Sequence, residues 1–111
     1  MIEITVLDYL TAALDCPVVM EYRDGLGEKF VVLRTGDTTR TNMLEATMFI
    51  AESYDSSLLE TAKLNMNVKS AMDALAELPE ISASHLVSDY PAMDTEHKRY
   101  RYQAVYTVTH Y

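Results

Sequence analysis

Cysteine is almost absent from this sequence. Its 111 residues include one, Cys16, which excludes an internal disulfide and suits a reducing compartment. Glycine and proline are scarce as well, three of each. There is no G-x-x-x-x-G-K, no G-x-G-x-x-G and no G-x-S-x-G, so a phosphate-cradling loop and a nucleophile elbow are both excluded. Basic residues are in deficit: nine Lys and Arg stand against 17 Asp and Glu, for a net charge of -8. Such a surface repels phosphate polymers on average and keeps copies of the chain soluble at high concentration. No apolar run approaches the roughly 18 residues of a membrane-spanning helix. The N-terminus lacks the basic and apolar regions of a signal peptide.

What is present is ordinary for a globular protein: 49% hydrophobic and 23% charged residues, enough for a single domain over 1–111 with its own core. Ile2, Val6, Tyr9, Leu10 and Ala13 share one helical face, which predicts a helix from Ile2 to Asp15. Thr5-x-x-Asp8 resembles a capping box, and Pro17 forbids continuation. Strands are predicted at Pro17 to Tyr22 and Phe30 to Thr35, with turns at Asp24-Gly25 and Gly36-Asp37. Alternation then runs from Arg40 to Tyr54, a strand of roughly 50 Å at about 3.3 Å per residue, long enough to bend or to reach a neighbour.

Ser57-x-x-Glu60 opens a long helix that Pro79 stops near Leu78. Leu64, Val68, Ala71, Met72 and Leu75 form one stripe of it. Leu58, Leu59, Ala62 and Met66 form a second on nearly the opposite side, which needs its own cover from the first helix or another subunit. A strand at Ile81 to Val87, a loop at Asp89 to Glu96 and a strand from Arg99 to His110 complete the order α-β-β-β-α-β-β. The predicted class is α+β, a mostly antiparallel sheet of about five strands with two helices on one face.

Candidate chemistry is thin. His85, His97 and His110 lack the spacing of a zinc site. Cys16 would need a histidine folded against it to act as a nucleophile, and a small buried cysteine is the plainer reading. Asp89 and Asp94 share a loop and would suit a cation, although a solvated loop is the expectation. No catalytic residue, cofactor or metal is expected. The last stretch, KRYRYQAVYTVTHY, resembles a base-stacking surface in composition. Its tyrosines and arginines alternate, however, so they point to opposite faces. Tyr100, Tyr102 and Tyr106 are expected on the core side. Arg99, Arg101 and Gln103 are expected on the other, toward solvent or a partner.

The pieces ITVLDYLTAAL, PVVMEYRDGLGEKFVVL, SLLETAKLNMNVKSAMDALAEL and HLVSDYPAMDTEHKRYRYQAVYTVTH, in this order, resemble the tail terminator (tail completion) proteins of long-tailed bacteriophages. The resemblance covers nearly the whole chain as a pattern, without a short diagnostic motif. It implies a homo-oligomeric ring, typically a hexamer, that caps the tail tube, ends its polymerisation and meets the head-tail connector protein. It implies no catalysis, no membrane partner, DNA only as cargo through the lumen, and a place at the head-proximal end of the virion tail after assembly in the host cytoplasm. The suggested subunit or tube interface is Arg99, Arg101, Gln103, Leu58, Leu59, Ala62 and Met66, with the arginines pairing with acidic groups on a neighbouring subunit or tube protein. A head-tail connector component is the nearest alternative, and a small-ligand-binding regulatory domain unrelated to phage is another.

Overall fold

The computed structural model describes residues 1–111. The chain runs α1 (Ile2–Ala13), β1 (Val18–Val19), β2 (Phe30–Thr41), β3 (Leu44–Asp55), α2 (Leu58–Ala74), a 3₁₀ turn at Leu75–Glu77, β4 (Ile81–Pro91) and β5 (Tyr100–His110). The strands form one sheet in the order β1-β2-β3-β5-β4, antiparallel except where β1 joins β2 in parallel. Both helices lie on one face. The α+β class and the element order are those expected from the sequence.

α2 shows why. Ser57 is its N-cap and accepts the Glu60 N–H at 3.1 Å, satisfying one of the free donors of the first turn. Its stripe of Leu64, Val68, Met72 and Leu75 is fully buried. It packs on Phe49, Ala51, Ala104, Tyr106 and Val108, the helix-facing positions of β3 and β5. Val6 and Leu10 of α1 close the same core beside Val31 and Leu33 of β2. Truncating one such leucine costs about 2–5 kcal/mol. Tyr106 adds a polar anchor, its phenol donating to Asp73 at 2.8 Å.

Five expectations are corrected. Thr5 does not cap α1, because the helix already starts at Ile2 and the Thr5 hydroxyl donates to the Met1 carbonyl. The strand expected at Pro17 to Tyr22 shrinks to two residues, Val18–Val19. Gly36-Asp37 is not a turn. β2 runs through it with a one-residue bulge, Thr35 and Thr38 pairing Phe49 and Thr47. The turn lies at Asn42-Met43, so Arg40 and Thr41 belong to β2 and the single long strand is a hairpin. Both turn residues have positive φ, 51° and 68°, as a two-residue type I′ hairpin requires. Finally, β4 continues through Asp89 to Pro91, into the expected loop. Pro91 is tolerated because β4 is an edge strand.

Candidate interaction surfaces and a buried polar clasp

The alternation of β5 sorts its side chains as the sequence predicts, but burial falls off toward its start. Tyr106 is fully buried under α2, Tyr102 is half-buried, and Tyr100 is 42% exposed. The core therefore ends before the tyrosine run does, which corrects the expectation that all three face it. On the opposite, helix-free face, Arg101 and Gln103 stand beside Glu52 and Tyr54 of β3.

Glu52 is buried and carries a charge, which is costly unless it is paired and hydrogen-bonded. Three donors meet that need. Arg34 Nε lies at 2.7 Å from Oε1, and Gln103 Nε2 and Arg101 Nη1 lie at 2.9 Å and 3.3 Å from Oε2. Arg101 also donates through Nε to the Ala92 carbonyl at 2.7 Å. Its acidic partner is thus in its own chain, not on a neighbouring subunit as the sequence suggested.

Next to this group, Asp94 is buried as well. It accepts the Tyr54 phenol at 2.7 Å, the His97 ring Nδ1 at 2.8 Å and the His97 backbone N–H at 3.1 Å. Burial alone would raise its pKa. The hydrogen bonds from Tyr54 and His97 outweigh that and hold it at about 2. The Tyr54 phenol is pushed well above its ordinary value, by burial first and by its bond to the Asp94 carboxylate second. Asp89 turns elsewhere, to Lys69 of α2 at 3.1 Å. The two aspartates engage separate partners, Asp89 from β4 and Asp94 from the loop after it, and the solvated-loop reading fails for Asp94.

Aromatic rings finish the clasp. Tyr22, from the β1–β2 loop, stacks on His97 with centroids 3.7 Å apart, and Phe30 stacks on Tyr54 at 4.7 Å. Arg99 lies over Phe30, 5.3 Å from the ring centroid, and donates to the Glu28 carbonyl at 2.8 Å. Segments 20–29 and 92–99 are thereby pinned together over one end of the open face. The Asp94–His97 pair has the spacing of an acid–base couple. Its other bonds return to the same loop and to Tyr54, so its geometry is that of a loop fastener.

The remaining suggested interface residues stand apart from this group. Leu58, Leu59 and Met66 are 49%, 65% and 64% exposed, and Ala62 is half-buried. α1 packs along the other flank of α2, so the second stripe stays open to solvent. The structure therefore separates the seven suggested residues into two sets. Arg99, Arg101 and Gln103 serve the clasp, and the α2 residues form a free apolar surface. Sequence reading missed Glu52, Tyr54 and Tyr22, and it weighed Asp94 and His97 only as possible cation or zinc ligands. A usable signal was Glu52 itself, the one charge in the run Met48 to Tyr54.

A cleft of about 510 Å³ between the end of α1 and α2 is lined by Ala13, Leu14, Asp15, Asn67, Ser70 and Ala71. It is open to solvent and carries no cluster of titratable groups. The half-buried Cys16 thiol near it is pushed above its usual pKa, chiefly by desolvation, which disfavours the reactive thiolate. No helix is long and apolar enough to cross a membrane. No protein-family model matches the sequence, and no match to a curated protein is found.

Proposed function

We propose that the chain is a structural assembly protein of the tail-terminator kind, working as a ring of copies that caps a tail tube, ends its polymerisation and meets the head connector. The resemblance in element order gives the ring its six subunits. The observation that carries the reading is the second stripe of α2. A surface helix normally turns one apolar stripe to the core and polar residues to water. α2 does so with Leu64, Val68, Met72 and Leu75, and then leaves Leu58, Leu59 and Met66 in solvent on another side. Apolar side chains grouped in this way on a soluble surface favour contact with another protein.

The acidic balance fits the same role. With 17 acidic and nine basic residues, a lumen built from this chain lets DNA pass without the phosphate attraction that dominates non-specific affinity. Arg101 and Gln103 are occupied by Glu52, so the α2 set is the part of the suggested interface that carries the proposal. A neighbouring connector role shares these features and differs in its partner. The test is polymerisation of the tail tube protein from the same genome, with and without this chain. Short tubes ending in rings are expected. Tubes of unchanged length with bare ends contradict the proposal.

A further inference from the structure

The turn at Asp24-Gly25 has no part in the surfaces described so far. It forms at the exposed tip of the loop between β1 and β2. Arg23, Asp24 and Gly25 are all exposed, whereas Tyr22 and Leu26 on either side pack against Phe30, Val32 and Tyr54. The tip is thus a short bridge between two anchors. One of them, Tyr22, also stacks on His97.

Gly25 has φ 89°, a region that a residue with a Cβ enters only under strain. Glycine is required here by conformation and not by space, because a Cβ at this position would meet nothing within 4 Å. The Gly25 N–H and the Asp24 carboxylate make no hydrogen bond or ion pair within the chain. Without a Cβ on the following residue, that nitrogen reaches the aspartate side-chain carbon with the least hindrance, and the two groups are already joined in one chain. Asp24 is the one aspartate followed by glycine. The others are also held: Asp8, Asp37, Asp73 and Asp89 lie in helices or strands, and Asp15 pairs with Lys29 at 2.9 Å. The N–H after Asp55 already donates to its carboxylate at 2.7 Å.

We infer that Asp24 is a site of spontaneous conversion to isoaspartate. The Gly25 nitrogen bonds to Asp24 Cγ, and the carboxyl hydroxyl leaves with the amide proton as water, closing a succinimide ring. Water then adds to the ring. Opening at Cγ restores aspartate. Opening at the main-chain carbonyl leaves the peptide running through Cβ and Cγ, with a free α-carboxylate. Mass is unchanged, but the bridge between Tyr22 and Leu26 gains one main-chain carbon. A longer bridge loosens the seat of these anchors on Phe30, Val32 and Tyr54, and through Tyr22 the stack on His97. The clasp is thereby weakened irreversibly as the chain ages, with solvent water as the only co-reactant. The conversion is independent of ring formation.

The folded chain is warmed at neutral pH for several weeks beside the same chain unfolded in guanidinium, and each is cleaved at glutamate to release the peptide 22–28. Isoaspartate is read as a second peak of equal mass that takes up methyl groups from an isoaspartyl methyltransferase. In the folded chain it should accumulate at Asp24 at least about tenfold faster than at any other aspartate, a barrier lower by about 1.4 kcal/mol. Because the fold holds neither reacting group, the rate at Asp24 should stay within about twofold of that in guanidinium. Equal conversion at several aspartates, or a rate cut severalfold by folding, overturns the site. Asp24→Glu, whose larger ring closes far more slowly, should give no second peak and keep the parent's urea midpoint. A second peak in that variant also overturns it. The converted fraction, once isolated, should unfold at a lower urea concentration than the unconverted one. An equal midpoint overturns the link to the clasp.

Discussion

The Tyr54 phenol donates to the Asp94 carboxylate at 2.7 Å, joining β3 to a loop 40 residues further along the chain. Asp94 also holds its own loop through His97. Its pKa is lowered to about 2 in the fold, against about 3.9 in an unfolded chain. The folded state thus binds its proton later than the unfolded one. The stabilisation is fully present above about pH 4 and is lost as pH falls from there toward 2, a total of about 2 kcal/mol. Urea unfolding at pH 7, 4, 3 and 2 should show this loss in the parent chain. Asp94→Asn should start lower at pH 7 and lack that share of the decline. Parallel curves for the two proteins would mean that Asp94 is not held by the clasp.

Arg101 and Arg99 look alike in sequence but not in the fold. Arg101→Glu removes a partner from buried Glu52 and sets a third carboxylate beside it and Asp94. Breaking such a buried pair costs about 3–5 kcal/mol. Arg99 lies nearer solvent with a ring contact and a carbonyl bond, so Arg99→Glu should cost about 1 kcal/mol or less. The sequence alone suggests that both charges could be reversed without harm to the fold. Equal, small losses in chemical denaturation would restore that view.

Much of the architecture was legible because local signals agreed with burial. The Ser57 and Glu60 pair fixed the start of α2, and the Leu64 to Leu75 stripe fixed its buried side. The hairpin was missed for a physical reason. A two-residue turn keeps the period of two on both flanks, so residues 40–54 read as one strand. Met43 occupies the position where glycine would have marked the turn. Gly36 misled in the opposite direction: a Cβ there would meet Met48 at 3.3 Å, so it serves close packing within the β2–β3 ladder. The clasp was invisible because it depends on strand register. Glu52, Arg34, Arg101 and Gln103 converge only once β2, β3 and β5 are paired, and no sequence spacing encodes that.

The two stripes of α2 should separate stability from assembly. Leu59→Gln with Met66→Gln changes exposed side chains and should alter unfolding free energy by no more than about 0.5 kcal/mol. Leu64→Ala should cost about 2–5 kcal/mol. The double variant should nevertheless fail to form rings on the tube protein. Normal ring formation by it would show that the exposed stripe has no part in assembly.

The isolated chain should not bind duplex or single-stranded DNA at physiological salt. Its clustered positive charge is His97, Lys98 and Arg99 with Arg101, and Arg101 is already taken by Glu52. Neutralising about three phosphates would give a salt slope of only about -3, where good non-specific binders make roughly six to ten contacts. Tyr100 and Tyr102 are accessible enough to test by substitution. A micromolar, salt-sensitive complex lost on Tyr102→Ala would place the chain among nucleic-acid binders.

The central claim is that copies of this chain close into a ring on a tail tube. Mass determination by light scattering, with negative-stain images of the same samples, tests it most directly. The free protein is measured across a concentration series and then with its tube protein. The account predicts small, concentration-dependent species for the free protein and closed rings, six copies by the resemblance, at tube ends. A monomer at every concentration that leaves tube ends bare would contradict it.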